Sequence, residues 1–126
     1  MKHRDKIVLE KIISEINVGL SILSDKSFDA FNKDETVKRA VCMTAINVGE
    51  LIKIITDDIR LKYKEIPWKQ ITGFRDVAAH KYEALDMKDV YDTVHDDFPV
   101  LKSNIEDILK NEVDEKNMNR SELSIE

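Results

Sequence analysis

The sequence predicts an all-α protein, an antiparallel four-helix bundle with one short extra helical turn, and three observations carry that expectation. Apolar residues recur at three- and four-residue spacing through most of residues 5–110. Three glycines and two prolines punctuate 126 residues, so few positions force a helix to stop. No segment shows the strict apolar–polar alternation of a half-buried strand. The length suits one domain with a single core.

The first helix is expected over residues 5–24, where Ile7, Val8, Ile12, Ile13, Ile16, Leu20 and Leu23 follow the helix period. Gly19 weakens it without ending it. Ser24-Asp25-Lys26-Ser27 reads as a turn that caps a short segment from Phe28 to Phe31. A long helix should follow from about Asp34 to Tyr63, capped by Asp34 or Asn32. Val37, Ala40, Val41, Thr44, Ala45, Val48, Leu51, Ile52, Ile55 and Ile59 form its stripe. Pro67 fits the first turn of the next helix, which runs to about His80 with Ile71, Phe74, Val77 and Ala78 inward.

The last helix should begin near Asp86 or Met87 and reach about Lys110, lined by Val90, Val94, Leu101, Ile105, Ile108 and Leu109. Pro99 has no N–H and should kink that helix or divide it. Residues 1–110 then make the helical domain, and 111–126 are a polar tail expected to be disordered.

Net charge is −5, which argues against sequence-blind nucleic-acid binding over the whole surface. A local basic cleft is compatible with it. Lys62, Lys64, Lys69, Arg75, His80 and Lys81 form a comparatively basic stretch, whereas acidic residues gather from Glu83 onward. Cys42 is the sole cysteine, so neither an intrachain disulfide nor zinc-site spacing exists, and its apolar neighbours predict a reduced core thiol. No apolar run is long enough to span a bilayer, and no signal-peptide pattern follows Met1. A cytoplasmic location is expected.

Chemistry concentrates in Gly73-Phe74-Arg75-Asp76-Val77-Ala78-Ala79-His80-Lys81-Tyr82. Arginine offers a fixed cationic fork for phosphate, histidine moves protons near neutral pH, and tyrosine offers a phenolic hydroxyl. On a continuous helix Arg75 and Tyr82 lie within ~20° of each other, but His80 stands ~140° from Arg75. Either the helix ends before His80, or two copies of the chain share one site. Elsewhere, Asn47 and Glu50 lie three apart and interrupt an apolar stripe, so they need polar partners. Trp68 is expected in the core or a dimer contact, and His95 on a solvated acidic face with Asp92, Asp96 and Asp97.

This pattern resembles the HEPN superfamily, and most closely its HepT-like toxin branch. That branch carries Arg-x4-His-x-Tyr, matched by Arg75, His80 and Tyr82. Residues 66–74 resemble the family's lead-in, 46–50 its mid-helix signature and 96–101 its last-helix Pro segment. Asp76 departs from the asparagine that the toxin branch often has.

The resemblance implies a homodimer whose two motifs line one cleft, and metal-independent cleavage of RNA with no cofactor. Arg75 and His80 would be catalytic, with Asp76, Asn47 and Glu50 in support. It also implies a partner antitoxin, an MntA-like nucleotidyltransferase that transfers AMP to Tyr82. The alternative is a non-catalytic HEPN dimer that binds or regulates such a partner.

Overall fold

The computed structural model describes residues 1–72 and 82–125, with backbone alone at Glu83 and at 114–125. Seven helical segments follow one another among these residues: α1 His3–Leu23, α2 Phe28–Lys33, α3 Glu35–Lys53, α4 Asp57–Lys62, α5 at 68–72, α6 Met87–Asp92 and α7 Phe98–Ile125. A 3₁₀ turn, Tyr82–Ala84, precedes α6, and a π turn, Thr93–Asp97, joins α6 to α7. The described residues are all-α, as the hydrophobic period predicts.

Helices α1 and α3 run antiparallel. Asp5 meets Thr56, Glu15 meets Asn47 and Gly19 meets Thr44, so partners descend along one helix as they rise along the other. A Cβ added at Gly19 would lie 2.8 Å from Thr44 Cγ2, closer than real contacts allow. Glycine here lets the two backbones approach, which is why it persists inside a helix that it weakens. Val8, Leu9, Ile12, Ile16, Val41, Val48 and Ile52 fill the space between the helices. Helix α7 lies antiparallel to α1 in turn, with Glu112 beside Met1, and adds Leu101, Ile105 and Ile108 to the same core.

The ends of α1 and α2 have local causes. Lys26 N donates to Leu23 O across a tight turn, and Ser24 takes φ 50° and ψ −133°. Those angles belong to the first central position of a type II′ turn, where glycine is preferred. Ser27 Oγ then accepts from Ala30 N and Asp34 Oδ1 from Val37 N, which starts α2 and α3. Phe31 is buried against Tyr91 and Phe28, and Tyr91 Oη donates to Lys26 O at 2.7 Å.

The long helix expected from Asp34 to Tyr63 is two helices. It breaks at Ile54–Thr56 because two polar side chains, Asp5 and Arg60, take over the freed backbone. Asp5, 1% exposed, accepts from Thr56 N at 3.0 Å and from Thr56 Oγ1. Arg60 donates to Ile52 O at 2.6 Å and to Ile55 O at 3.2 Å. A carbonyl in the last turn of α3, the Ile55 carbonyl in the break and the Thr56 N–H before α4 are thus satisfied. The apolar period continues through the break with Ile52, Ile55 and Ile59, so hydrophobic spacing alone reads it as one helix.

Pro99 divides the last helix, as its missing N–H predicts. The π turn lies immediately before it and widens the backbone where the proline ring would meet the preceding turn. Asp86 caps α6 through Lys88 N, and Val90 and Val94 face the core. Trp68 is buried, and its Nε1 donates to Tyr63 O, so its place is the core.

Glu112 belongs to the folded body, although the sequence reading assigns it to the tail. It is 6% exposed and gathers the Met1 amino group at 3.5 Å, Lys62 Nζ at 3.1 Å and Tyr63 Oη at 3.3 Å. It follows Ile105 and Ile108 at helical spacing, on the same inward stripe of α7.

Candidate functional site

Tyr82 is the motif residue that the described structure contains. It opens the 3₁₀ turn, half-buried, and its ring packs against the core cluster. Its hydroxyl donates to Glu35 Oε1 at 3.3 Å, and the Arg39 guanidinium carbon stands 4.8 Å above its ring centroid. Arg39 Nε also meets Glu35 Oε1 at 3.1 Å, and Lys38 Nζ meets Glu35 Oε2 at 3.1 Å. Glu35 and Arg39 are four apart on the first turns of α3, which places them on one face.

The electrostatics of this set have clear signs. The hydrogen bond from Lys38, with the Lys38 and Arg39 charges and the Tyr82 hydroxyl adding, holds the Glu35 carboxyl below its usual range. Burial pushes the Tyr82 hydroxyl above its usual value, and the nearby Cys42 thiol and Glu35 carboxylate act in the same direction. At neutral pH the pair is a carboxylate accepting from an intact phenol. Cys42 is close enough to feel the Glu35 charge, and burial, with Glu35 adding, raises its thiol to about 11. It is therefore a buried thiol with little thiolate character, as its apolar neighbours predict.

Arg75, Asp76 and His80 lie outside the described residues. Asn47 and Glu50 flank the buried stripe of α3 and do not interrupt it. Val48, Gly49 and Ile52 are buried, whereas Asn47 is half-buried and Glu50 exposed. Asn47 Nδ2 donates to Glu15 Oε2 at 3.4 Å, which ties α3 to α1. His95 is exposed, stacks on Tyr91 at 5.2 Å and meets Asp96 at 2.6 Å, on the solvated face expected for it. Of the basic stretch, Lys62 is committed to Glu112, and Lys64 and Lys69 are exposed.

A cleft of about 260 Å³ opens between α3, α5 and α7. Ala45, Pro67, Ile71 and Phe98 are among the residues that line it, and Gln70 and Asn104 lend polar groups. It lies against the helix that leads into the motif. Among the described residues, no three His, Cys, Asp or Glu side chains gather as a metal site would require, and no helix is long and apolar enough to cross a membrane.

Sequence reasoning missed Glu35 and Arg39. They sit 47 and 43 positions before Tyr82, and no local spacing rule connects such distances. The local signal was an acid–base pair at i, i+4 just after the Asp34 cap, which ordinarily marks a solvated helix start.

Three comparisons bear on this arrangement. A family model described as Ribonuclease HepT-like matches residues 9–108. "Putative RNase MJ0125" of Methanocaldococcus jannaschii is 33% identical over 111 residues, covering 87% of this chain and 96% of that one. "Probable ribonuclease HepT" of Thermococcus cleftensis is 31% identical over 110 residues, covering 87% of this chain and 100% of that one. "Putative RNase TTE0752" of Caldanaerobacter subterraneus is 30% identical over 104 residues, covering 82% and 93% respectively. No solved structure matches the chain.

Proposed function

The chain belongs to the HepT-like ribonuclease family, and on that premise we propose that it is the toxin of a type VII-like toxin–antitoxin pair. In this reading it is a metal-independent endoribonuclease, acting as a homodimer in the cytoplasm. The observation that carries the proposal is Arg75, His80 and Tyr82 at the family's motif spacing, within a matched region that spans most of the chain.

The reaction follows from those residue types. His80 takes the proton of a ribose 2′-hydroxyl as the oxygen attacks the adjacent phosphorus, or returns one to the leaving 5′-oxygen. An imidazole near its unperturbed pKa of ~6.5 holds both protonation states at neutral pH. Arg75 clamps the phosphate oxygens and offsets the charge that builds in the transition state. Asp76 orients His80 or Arg75, and Asn47 and Glu50 support the motif from α3.

An MntA-like nucleotidyltransferase silences the enzyme by moving AMP onto Tyr82. The added phosphodiester and base neutralise the clamp and obstruct the cleft. The described surroundings of Tyr82, a hydroxyl on a carboxylate beneath a guanidinium, support its role as acceptor. The polar segment beyond Val113 stands outside the catalytic unit in this reading.

The test is RNA cleavage by the purified protein in EDTA, beside His80→Ala and Arg75→Ala, with product ends mapped. Cyclic phosphate ends are expected, with the rate falling by about a hundredfold or more in each variant. Cleavage retained by both variants refutes the assignment. Intact RNA in the presence of folded, unmodified wild-type protein favours the non-catalytic dimer.

A further inference from the structure

Three tyrosines are described, and each gives its hydroxyl to a partner: Tyr63 to Glu112, Tyr91 to the Lys26 carbonyl and Tyr82 to Glu35. Tyr63 and Tyr91 are each 9% exposed. Tyr82 is half-buried, while the Glu35 and Arg39 side chains are 56% and 66% exposed. A second macromolecule can therefore reach the Tyr82 hydroxyl together with both of its partners.

We propose that Glu35 is the base for modification of Tyr82 and Arg39 the cation that receives the incoming phosphate, so that the chain supplies part of the machinery that modifies it. This rests on the reading above that Tyr82 accepts AMP. Tyr82 Oη attacks the α-phosphorus of a nucleoside triphosphate, and the Oη–P bond forms. The bond from that phosphorus to the bridging oxygen breaks, and pyrophosphate leaves with the electron pair. The phenolic proton passes to Glu35.

The geometry is that of an activated nucleophile: hydroxyl and carboxylate within hydrogen-bond reach, and the carboxylate in turn held by Lys38 and Arg39. Tyr82 scarcely ionises unaided, because burial raises its hydroxyl above an already high value. Its proton becomes acidic as the bond to phosphorus forms, and at that moment an ionised acceptor at 3.3 Å is useful. Protein kinases place an aspartate against the substrate hydroxyl for the same purpose.

Arg39 has the matching task. Its guanidinium overhangs the phenol ring and meets the same Glu35 oxygen that accepts from the hydroxyl, so it stands beside the atom that the phosphorus joins. A phosphodiester on Tyr82 can no longer donate to Glu35, and its negative charge stands beside that carboxylate. Arg39 and Lys38 then exchange a carboxylate for a phosphate oxygen, a change that guanidinium geometry suits.

The test uses the full chain and a minimal nucleotidyltransferase of the antitoxin type with ATP and magnesium, reading the mass of AMP on Tyr82. Glu35→Gln should lower kcat for transfer by about a hundredfold with little change in KM for the protein, and Glu35→Asp should recover part of it. Arg39→Ala should lower the rate, and Arg39→Lys should restore it in part. Glu35→Gln modified at the wild-type rate overturns the proposal.

Wild-type protein left unmodified sinks the Tyr82 reading itself. The clasp is then judged by labelling with an anionic aryl sulfonyl fluoride. Tyr82 should react faster than Tyr63 and Tyr91, and lose that lead in both Glu35→Gln and Arg39→Ala. Equal labelling of the three tyrosines, or a lead that survives both substitutions, overturns it.

Discussion

A phenol, a carboxylate and a cation meet at both ends of the bundle, in opposite surroundings. At one end Tyr63 donates to Glu112 at 3.3 Å with Lys62 Nζ 5.8 Å from its ring. At the other, Tyr82 donates to Glu35 at 3.3 Å with Arg39 4.8 Å from its ring. Helix α3, about 28 Å long, separates the two ends. Glu112 is buried and closed over by the Met1 amino group, whereas Glu35 is open to water. Desolvation of Glu112 makes its contacts matter for folding, and solvent around Glu35 and Arg39 makes theirs cheap to rearrange. One chemistry thus serves as a structural tie at the closed end and as a reactive surface at the open end.

The largest break in that comparison should come from removing each carboxylate. Glu112→Ala takes a shared acceptor from Lys62, Tyr63 and the Met1 amino group, and should destabilise the fold by about 2–3 kcal/mol in urea unfolding. Glu35→Ala should leave the unfolding midpoint nearly unchanged, because Glu35 and Arg39 are both open to water and the pair is screened. Equal losses from the two substitutions would end the distinction.

Removing the hydroxyls should repeat the contrast on a smaller scale. Tyr63→Phe takes one donor from a buried carboxylate, at about 1–2 kcal/mol. Tyr82→Phe should leave the midpoint close to that of the wild type while abolishing any label on that residue.

Acid should separate the ends again. Burial pushes the Glu112 carboxyl up, but the Lys62 hydrogen bond and charge, the Met1 ammonium and the Tyr63 hydroxyl together hold it below 4.5. The unfolded chain therefore binds this proton more readily than the native one, and stability rises with pH across that window. The contribution is complete above about 4.5 and is lost as pH falls through the native value. Unfolding midpoints measured from pH 6 down to 3 should drop more steeply in the wild type than in Glu112→Gln.

The smallest effect belongs to the open end. Ser24 holds a positive φ that glycine adopts without strain, so Ser24→Gly should stabilise the protein by about 0.5–1 kcal/mol. A loss of stability would show that the serine makes up for its backbone in some other way.

The two ends also differ in how legible they were. Helix period, Ser27 and Asp34 caps and the Pro99 division read directly from neighbouring residues, because each rests on contacts within a few positions. The break at Ile54–Thr56 did not, since Asp5 acts on Thr56 from 51 positions away. Thr56-Asp57-Asp58 is a local helix-start signature that the continuing apolar period masked. Glu112 read as tail because a charged residue past Asn111 looks solvated until its partners at positions 1, 62 and 63 are known. At the candidate site Arg75, His80 and Tyr82 were visible as a pattern, whereas Glu35 and Arg39 join Tyr82 only through the fold.

Gly19 ties the drift of two helices together. The missing side chain there is filled by the Thr44 methyl, with Val94 Cγ1 at 3.7 Å closing the third side. Positions 19 and 44 therefore share one fixed volume, and a carbon gained on α1 is tolerated only where one is given up on α3. Among descendants of this sequence, alanine at 19 should travel with serine at 44, and neither change should spread readily without the other.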